Sequence, residues 1–157
     1  MKKAKGAGLD TNVDSIIRAL NTTAPQHIRV ERNYYHRDGR PDITIFGNDA
    51  TKFIVIVENK APGGLETNTS KGIQTSRYNR ILEQLREVRG VDKRCALAIF
   101  LTPEGKKASD QSLVPLSSHE LAVSMLRAID TTQTSSLEIQ YLARAFLITF
   151  DWLNGGT

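Results

Sequence analysis

Apolar and polar positions switch between two periods along this chain, and the switches mark its elements. Val13, Ile16, Ile17 and Leu20 recur at helical spacing and predict a helix over 10–20, with Asp10 or Thr11 as its N-cap. Residues 28–35 open with period-two alternation and predict a strand. His36 to Gly39 then reads as a turn, with Gly39 available for positive φ. Ile43 to Phe46 and Lys52 to Glu58 read as two further strands joined by a turn at Gly47 to Asp49. The run from Phe53 to Val57 is apolar on both faces, the mark of a central strand.

Residues 61–72 are rich in Gly and hydroxyl side chains and predict a mobile loop. Ile73, Arg77, Ile81, Leu82, Leu85 and Val88 fall at helical spacing and predict a helix over 73–89, stopped by Gly90. Residues 95–101 predict a buried strand, closed by Thr102-Pro103-Glu104-Gly105, and 112–116 a short strand. Ser117 and Glu120 form a capping-box pattern that opens a helix over 118–129, and an apolar helix over 137–153 completes the chain. Local hairpins plus one helical crossover predict an α/β fold in one domain spanning 1–157, a central mixed sheet flanked by helices.

Composition narrows the class. A chain of 157 residues with 39% hydrophobic and 24% charged side chains is long and apolar enough for a packed core. No apolar run approaches the length that spans a bilayer, and no apolar stretch follows the lysines after Met1. Cys95 is the single cysteine and lies in an apolar run, which predicts a core thiol and no internal disulfide. The expectation is a cytoplasmic protein without a membrane partner. The formal charge of +4 leans mildly toward anionic partners. Lys71, Arg77, Arg80, Arg86, Arg89, Lys93 and Arg94 outnumber Glu83, Glu87 and Asp92 in one segment, which would suit a phosphate-facing surface. A solvated helix face explains that charge equally well.

The chemistry gathers on the central hairpin. If it is centred on Ala50, Phe46 opposes Ile54, Thr44 opposes Ile56, and Asp42 opposes Glu58. Opposed side chains on one face have Cβ atoms about 4.5–5.5 Å apart. Two carboxylates that close repel one another and suit a hard divalent cation. Lys60 follows Glu58 at strand spacing and shares its face, and the Asn59 carbonyl could add a further oxygen ligand. A bound Mg²⁺ would activate a water, and Lys60 would stabilise developing negative charge. The plainer alternative is two surface carboxylates and a lysine at a strand end. His27, His36 and His119 lack metal-ligand spacing, and Gly63-Gly64 lacks the pattern of a phosphate-binding loop.

Gly39-Arg40-Pro41-Asp42-Ile43 followed by Ile56-Val57-Glu58-Asn59-Lys60 resembles the PD-(D/E)XK nuclease superfamily, in particular its prokaryotic branch with a Glu-Asn-Lys triplet. Gln74-Thr75-Ser76-Arg77-Tyr78 stands where that branch carries a Gln-x-x-x-Tyr element, and Leu101-Thr102-Pro103-Glu104-Gly105 matches its next strand end. Val114-Pro115-Leu116-Ser117 and the closing Asp151-Trp152-Leu153 are also similar, so the resemblance covers about residues 28–153. It implies a restriction-endonuclease-like αβββαβ core and Mg²⁺- or Mn²⁺-dependent hydrolysis of DNA phosphodiesters, in repair, recombination or defence. Asp42, Glu58 and Asn59 would hold the metal. Lys60 would assist catalysis, and Gln74 and Tyr78 would enter the site from the helix. Arg40, Lys71, Arg77 and Arg80 would contact DNA. Relatives often add an acid from the first helix, and here Asp14 and Glu31 both stay open. A homodimer also stays open. The competing reading is an inactive nucleic-acid-binding or protein-interaction module that kept the fold.

Overall fold

The computed structural model describes residues 4–60, 66, 68–70, 72–121 and 123. A five-stranded mixed sheet forms its centre, in the order β1 (Ile28–Arg32), β2 (Ile43–Gly47), β3 (Phe53–Asn59), β6 (Ala96–Thr102), β7 (Val114–Ser117). The first three strands are antiparallel neighbours, and β3–β6 and β6–β7 are parallel. Two short strands, β4 (Asn68–Thr69) and β5 (Gly72–Ile73), pair apart from it. The helices with both ends among the described residues are α1 (Ala4–Thr22) and α2 (Gln74–Arg89), and a further helix opens at Ser118. None of the helices among the described residues is long and apolar enough to cross a membrane.

The pleat sorts side chains to two faces. Phe46, Ile54, Ile56, Ala96, Ala98 and Phe100 pack with Tyr78, Ile81, Leu82 and Leu85 of α2. Phe53, Val55 and Leu97 pack with Ile16 and Ala19 of α1 on the other side. The expected central strand is therefore β3, paired on both edges and buried on both faces. The expected hairpin register also holds, with Phe46 opposite Ile54 and Thr44 opposite Ile56. Gly47 lies inside β2 because Phe53 covers it: a Cβ there would stand 2.1 Å from the Phe53 ring.

Several boundaries differ from the sequence pattern. Asp10 and Thr11 lie within α1 and not at its N-terminus, because the helix begins at Ala4. Its buried face is Ile16 and Ala19, while Ile17 is 51% exposed. In α2 the expected stripe is rotated: Ile73 and Val88 are exposed, and Gln74, Thr75 and Tyr78 are buried instead. Gly90 ends α2 in the left-handed conformation at φ 63°, as expected. Strand β1 stops at Arg32, because Asn33 takes φ 51° and breaks the pleat. Gly39 does not adopt positive φ. Its lack of a side chain serves a close approach instead, since a Cβ would lie 3.2 Å from the Tyr78 ring.

The segment expected to be a loop over 61–72 contributes to the β4–β5 pair, with Gly72 at φ 96°, which leads straight into α2. Strand β7 is shifted to 114–117, and its Pro115 is tolerated because β7 is an edge. Cys95 is only half-buried, packing against both clusters just before β6. Burial raises its thiol pKa. Ser117 Oγ accepts from the Glu120 N–H at 3.3 Å, so the expected cap is present. The remainder of the helix expected over 118–129, and the whole of 137–153, lie outside the described residues.

Candidate active site

Asp42 sits one residue before β2, and its position follows from the hairpin register. With Ile43 opposite Val57, Asp42 faces Glu58, the last buried residue of β3. The Asn59 N–H donates to Asp42 Oδ2 at 2.8 Å and ties the carboxylate to the end of β3. The ladder continues one step further: Lys60 N–H donates to the Leu101 carbonyl at 2.9 Å. Lys60 therefore keeps its strand geometry, and its Nζ lies 2.9 Å from Glu58 Oε1.

Helix α2 covers this strand end with polar groups. Gln74 Nε2 donates to Glu58 Oε1 and to the Tyr78 hydroxyl, the latter at 2.9 Å. Gln74 Oε1 accepts from Lys60 Nζ at 2.7 Å. The Tyr78 hydroxyl donates to the Arg40 carbonyl at 3.1 Å, joining the helix to the segment that delivers Asp42. Residues four apart share a helix face, which puts Gln74 and Tyr78 in one network. Asp42, Glu58, Lys60, Gln74 and Tyr78 are thus all brought together.

The electrostatics are uneven. Burial pushes the Glu58 carboxyl pKa up from 4.5, the Lys60 hydrogen bond pulls it back, and the Asp42 charge raises it again, for a net rise. Burial pushes the Tyr78 phenol up to about 12. Tyr78 is therefore a neutral hydrogen-bonding group at physiological pH and no source of phenolate. Glu58 divides its two oxygens: Oε1 takes Lys60 and Gln74, while Oε2 is buried without a hydrogen-bond partner. Leaving such an acceptor unpaired costs about 1–3 kcal/mol or more for a charged group.

That unpaired oxygen is where these residues fit a divalent cation. Among the described residues no three His, Cys, Asp or Glu side chains cluster into a cage. Mg²⁺ needs none, because it commonly uses one or two carboxylates, retained waters and substrate phosphate. Asp42, Glu58 Oε2 and the Asn59 carbonyl could supply the protein's share.

The two further acids differ. Asp14 is exposed on α1, which packs on the opposite face of the sheet. Glu31 stands opposite Thr44 on the α2 face; its Oε1 lies 3.0 Å from Arg29 Nε yet is buried without a hydrogen-bond partner, so Glu31 is the better placed of the two further acids. Of the expected DNA contacts, Arg40 and Arg80 are exposed. Arg77 is half-buried and donates to the Asp38 carbonyl at 3.4 Å, so it holds the segment before Asp42. Lys71 lies outside the described residues. Farther along the basic segment, Arg86 and Arg94 pair with Glu83 and Asp92.

Glu66 and Thr75 were not legible as site residues. Glu66 accepts from the Thr75 hydroxyl at 2.7 Å and from the Ser109 N–H at 2.6 Å. The fully buried Thr75 hydroxyl accepts in turn from Asp110 N–H at 3.3 Å. This clamp fixes the first turn of α2, and hence Gln74. A cavity lined by Ser76, Lys107, Ala108 and Leu113 lies beside the clamp and includes neither Asp42 nor Glu58. Compared with known proteins, the chain matches no family model, no curated protein and no solved structure.

Proposed function

We propose that this chain is a Mg²⁺- or Mn²⁺-dependent deoxyribonuclease built on a restriction-endonuclease-like core, a member of the PD-(D/E)XK superfamily. The observation that carries the reading is the divided Glu58 carboxylate. One oxygen is fixed by Lys60 and Gln74, and the other is buried and unpaired, on the residue that faces Asp42 across the hairpin. A purely structural Lys–Glu pair at a strand end would satisfy both oxygens or face water. The order of Pro41-Asp42, Glu58-Asn59-Lys60 and Gln74 to Tyr78 supports the family assignment.

When bound, the divalent ion would supply an activated water and charge neutralisation at phosphate. Asp42 and Glu58 would hold it, with the Asn59 carbonyl. Lys60 carries a positive charge beside the carboxylates, where it would stabilise negative charge developing on the phosphate. Gln74 holds Lys60 and Glu58 in one relative position, so neither must reorganise during the reaction. Tyr78 fixes Gln74 from behind and anchors the Arg40 backbone.

Digestion of single-stranded, duplex and junction DNAs tests this proposal. Cleavage should appear with Mg²⁺ or Mn²⁺, vanish with EDTA, and be lost in Asp42→Asn. DNA binding without cleavage of any substrate would favour the inactive-module reading instead.

A further inference from the structure

The segment that delivers Asp42 carries an aromatic side chain the site has not used. The β1–β2 register runs on beyond the strands. Asn33 N–H donates to the Asp42 carbonyl at 2.9 Å, and His36 and Gly39 exchange two backbone bonds of 3.0 Å. Between these pairs Tyr35 faces Arg40, whose guanidinium lies 5.1 Å from the ring centroid. The positive φ of Asn33 separates two adjacent tyrosines. Tyr34 turns inward onto Phe46, 5.6 Å between ring centroids, while Tyr35 is 71% exposed.

That exposure is not slack. The tip is tied down from both sides, by the Tyr78 hydroxyl on the Arg40 carbonyl and by Arg77 on the Asp38 carbonyl. Tyr35 is therefore held at a fixed offset from Asp42. Arg40 covers one side of the ring, and the high exposure leaves the rest open to solvent.

We propose that Tyr35, backed by Arg40, is a stacking platform for an unpaired nucleobase beside the phosphate to be cut, so that the preferred substrate is single-stranded DNA. The inference rests on the nuclease reading above. A base in a duplex has both faces covered by its neighbours and offers nothing to an added ring. An unpaired base gains a stacking partner of either chemistry, because every base has a π-face. The Arg40 guanidinium adds a cation both to the ring and to the nearby backbone phosphate.

The test measures binding of a labelled oligothymidylate, a duplex of equal length, and an all-abasic oligomer, with Ca²⁺ replacing Mg²⁺. The proteins are wild type, Tyr35→Ala and Tyr35→Phe. The platform predicts that Tyr35→Ala weakens oligothymidylate binding roughly tenfold or more. Tyr35→Phe should bind like wild type, since it keeps the ring. Duplex and abasic oligomer should not distinguish the three proteins. Equal weakening on duplex and single strand, no weakening on either, or a loss that persists on the abasic oligomer overturns the platform. Those results leave the nuclease reading standing if wild type cleaves DNA with Mg²⁺ and Asp42→Asn does not. Absence of metal-dependent cleavage on every substrate overturns both.

Discussion

The two faces of the central sheet are built to different ends. On the α1 face, Ile16, Ala19, Phe53, Val55 and Leu97 form an apolar contact with no buried polar orphan among its members. On the α2 face the same kind of packing fills the middle, around Phe46, Ile54, Ile56 and Ile81. Toward the end of β3 it gives way to Glu58, Gln74 and Tyr78, and Glu31, Thr44 and Glu58 each keep a buried oxygen without a hydrogen-bond partner. Unpaired buried polar atoms cost stability wherever they occur. Their concentration on one face is what the proposed site would require, a chemical group kept available at some cost in stability. The α1 face should govern how well the chain folds, and the α2 strand end should govern what it does.

The sharpest break with that division would come from Glu58. Glu58→Gln should reduce single-turnover cleavage by about a thousandfold, the scale of losing a principal electrostatic group. It should also leave the apo protein as stable or more so at pH 8. The sign follows from the raised Glu58 pKa. A group whose folded pKa lies above its unfolded value supports the fold fully below the unfolded pKa, and that support is lost as pH rises through the folded pKa. The stability difference between Glu58→Gln and wild type should therefore shrink as pH falls toward 4.5. Melting curves across that range read it. A Tm that drops sharply in Glu58→Gln would assign the carboxylate to the scaffold.

Ile16→Ala addresses the other face. Truncating this buried side chain should cost about 2–5 kcal/mol in denaturant unfolding. The cleavage rate of the fraction still folded should be unchanged. A rate loss beyond the loss of folded protein would show that the two faces are coupled.

Lys60→Ala should slow cleavage by roughly a hundredfold. It should also move the acid limb of the pH–rate profile upward, because the Lys60 hydrogen bond holds the Glu58 pKa down. Rising Mg²⁺ should shift the same limb downward, as metal and proton compete for one carboxylate. A slower enzyme with an unmoved acid limb would separate Lys60 from Glu58. The smallest effect belongs to Tyr78→Phe, which removes one hydroxyl and keeps the ring. It should cost about 1 kcal/mol of stability and only a few-fold in rate, measured side by side.

Much of this arrangement is legible in the sequence because strand geometry has period two. The loop between Phe46 and Ile54 fixed the pairing, and the pairing placed Asp42 across from Glu58 with Lys60 on the same face. The helix faces were less legible. Apolar periodicity assigns Ile73 and Val88 inward, yet Gln74 and Thr75 take the buried positions because their partners are the polar groups of Glu58, Lys60 and Glu66. Those partners lie 9–16 residues away along the chain, beyond any local pattern. The division between Tyr34 and Tyr35 was equally hidden, since it turns on the φ of Asn33 and not on side-chain polarity.

Mn²⁺ binding, followed by electron paramagnetic resonance, tests the central claim most directly. The free Mn²⁺ signal should fall on adding wild-type protein, to saturation at one ion per chain. Asp42→Asn and Glu58→Gln should each weaken that binding by about tenfold or more, and Lys60→Ala should leave it unchanged or tighter. Saturable binding that is indifferent to both carboxylate variants, or no binding at all, would contradict the account.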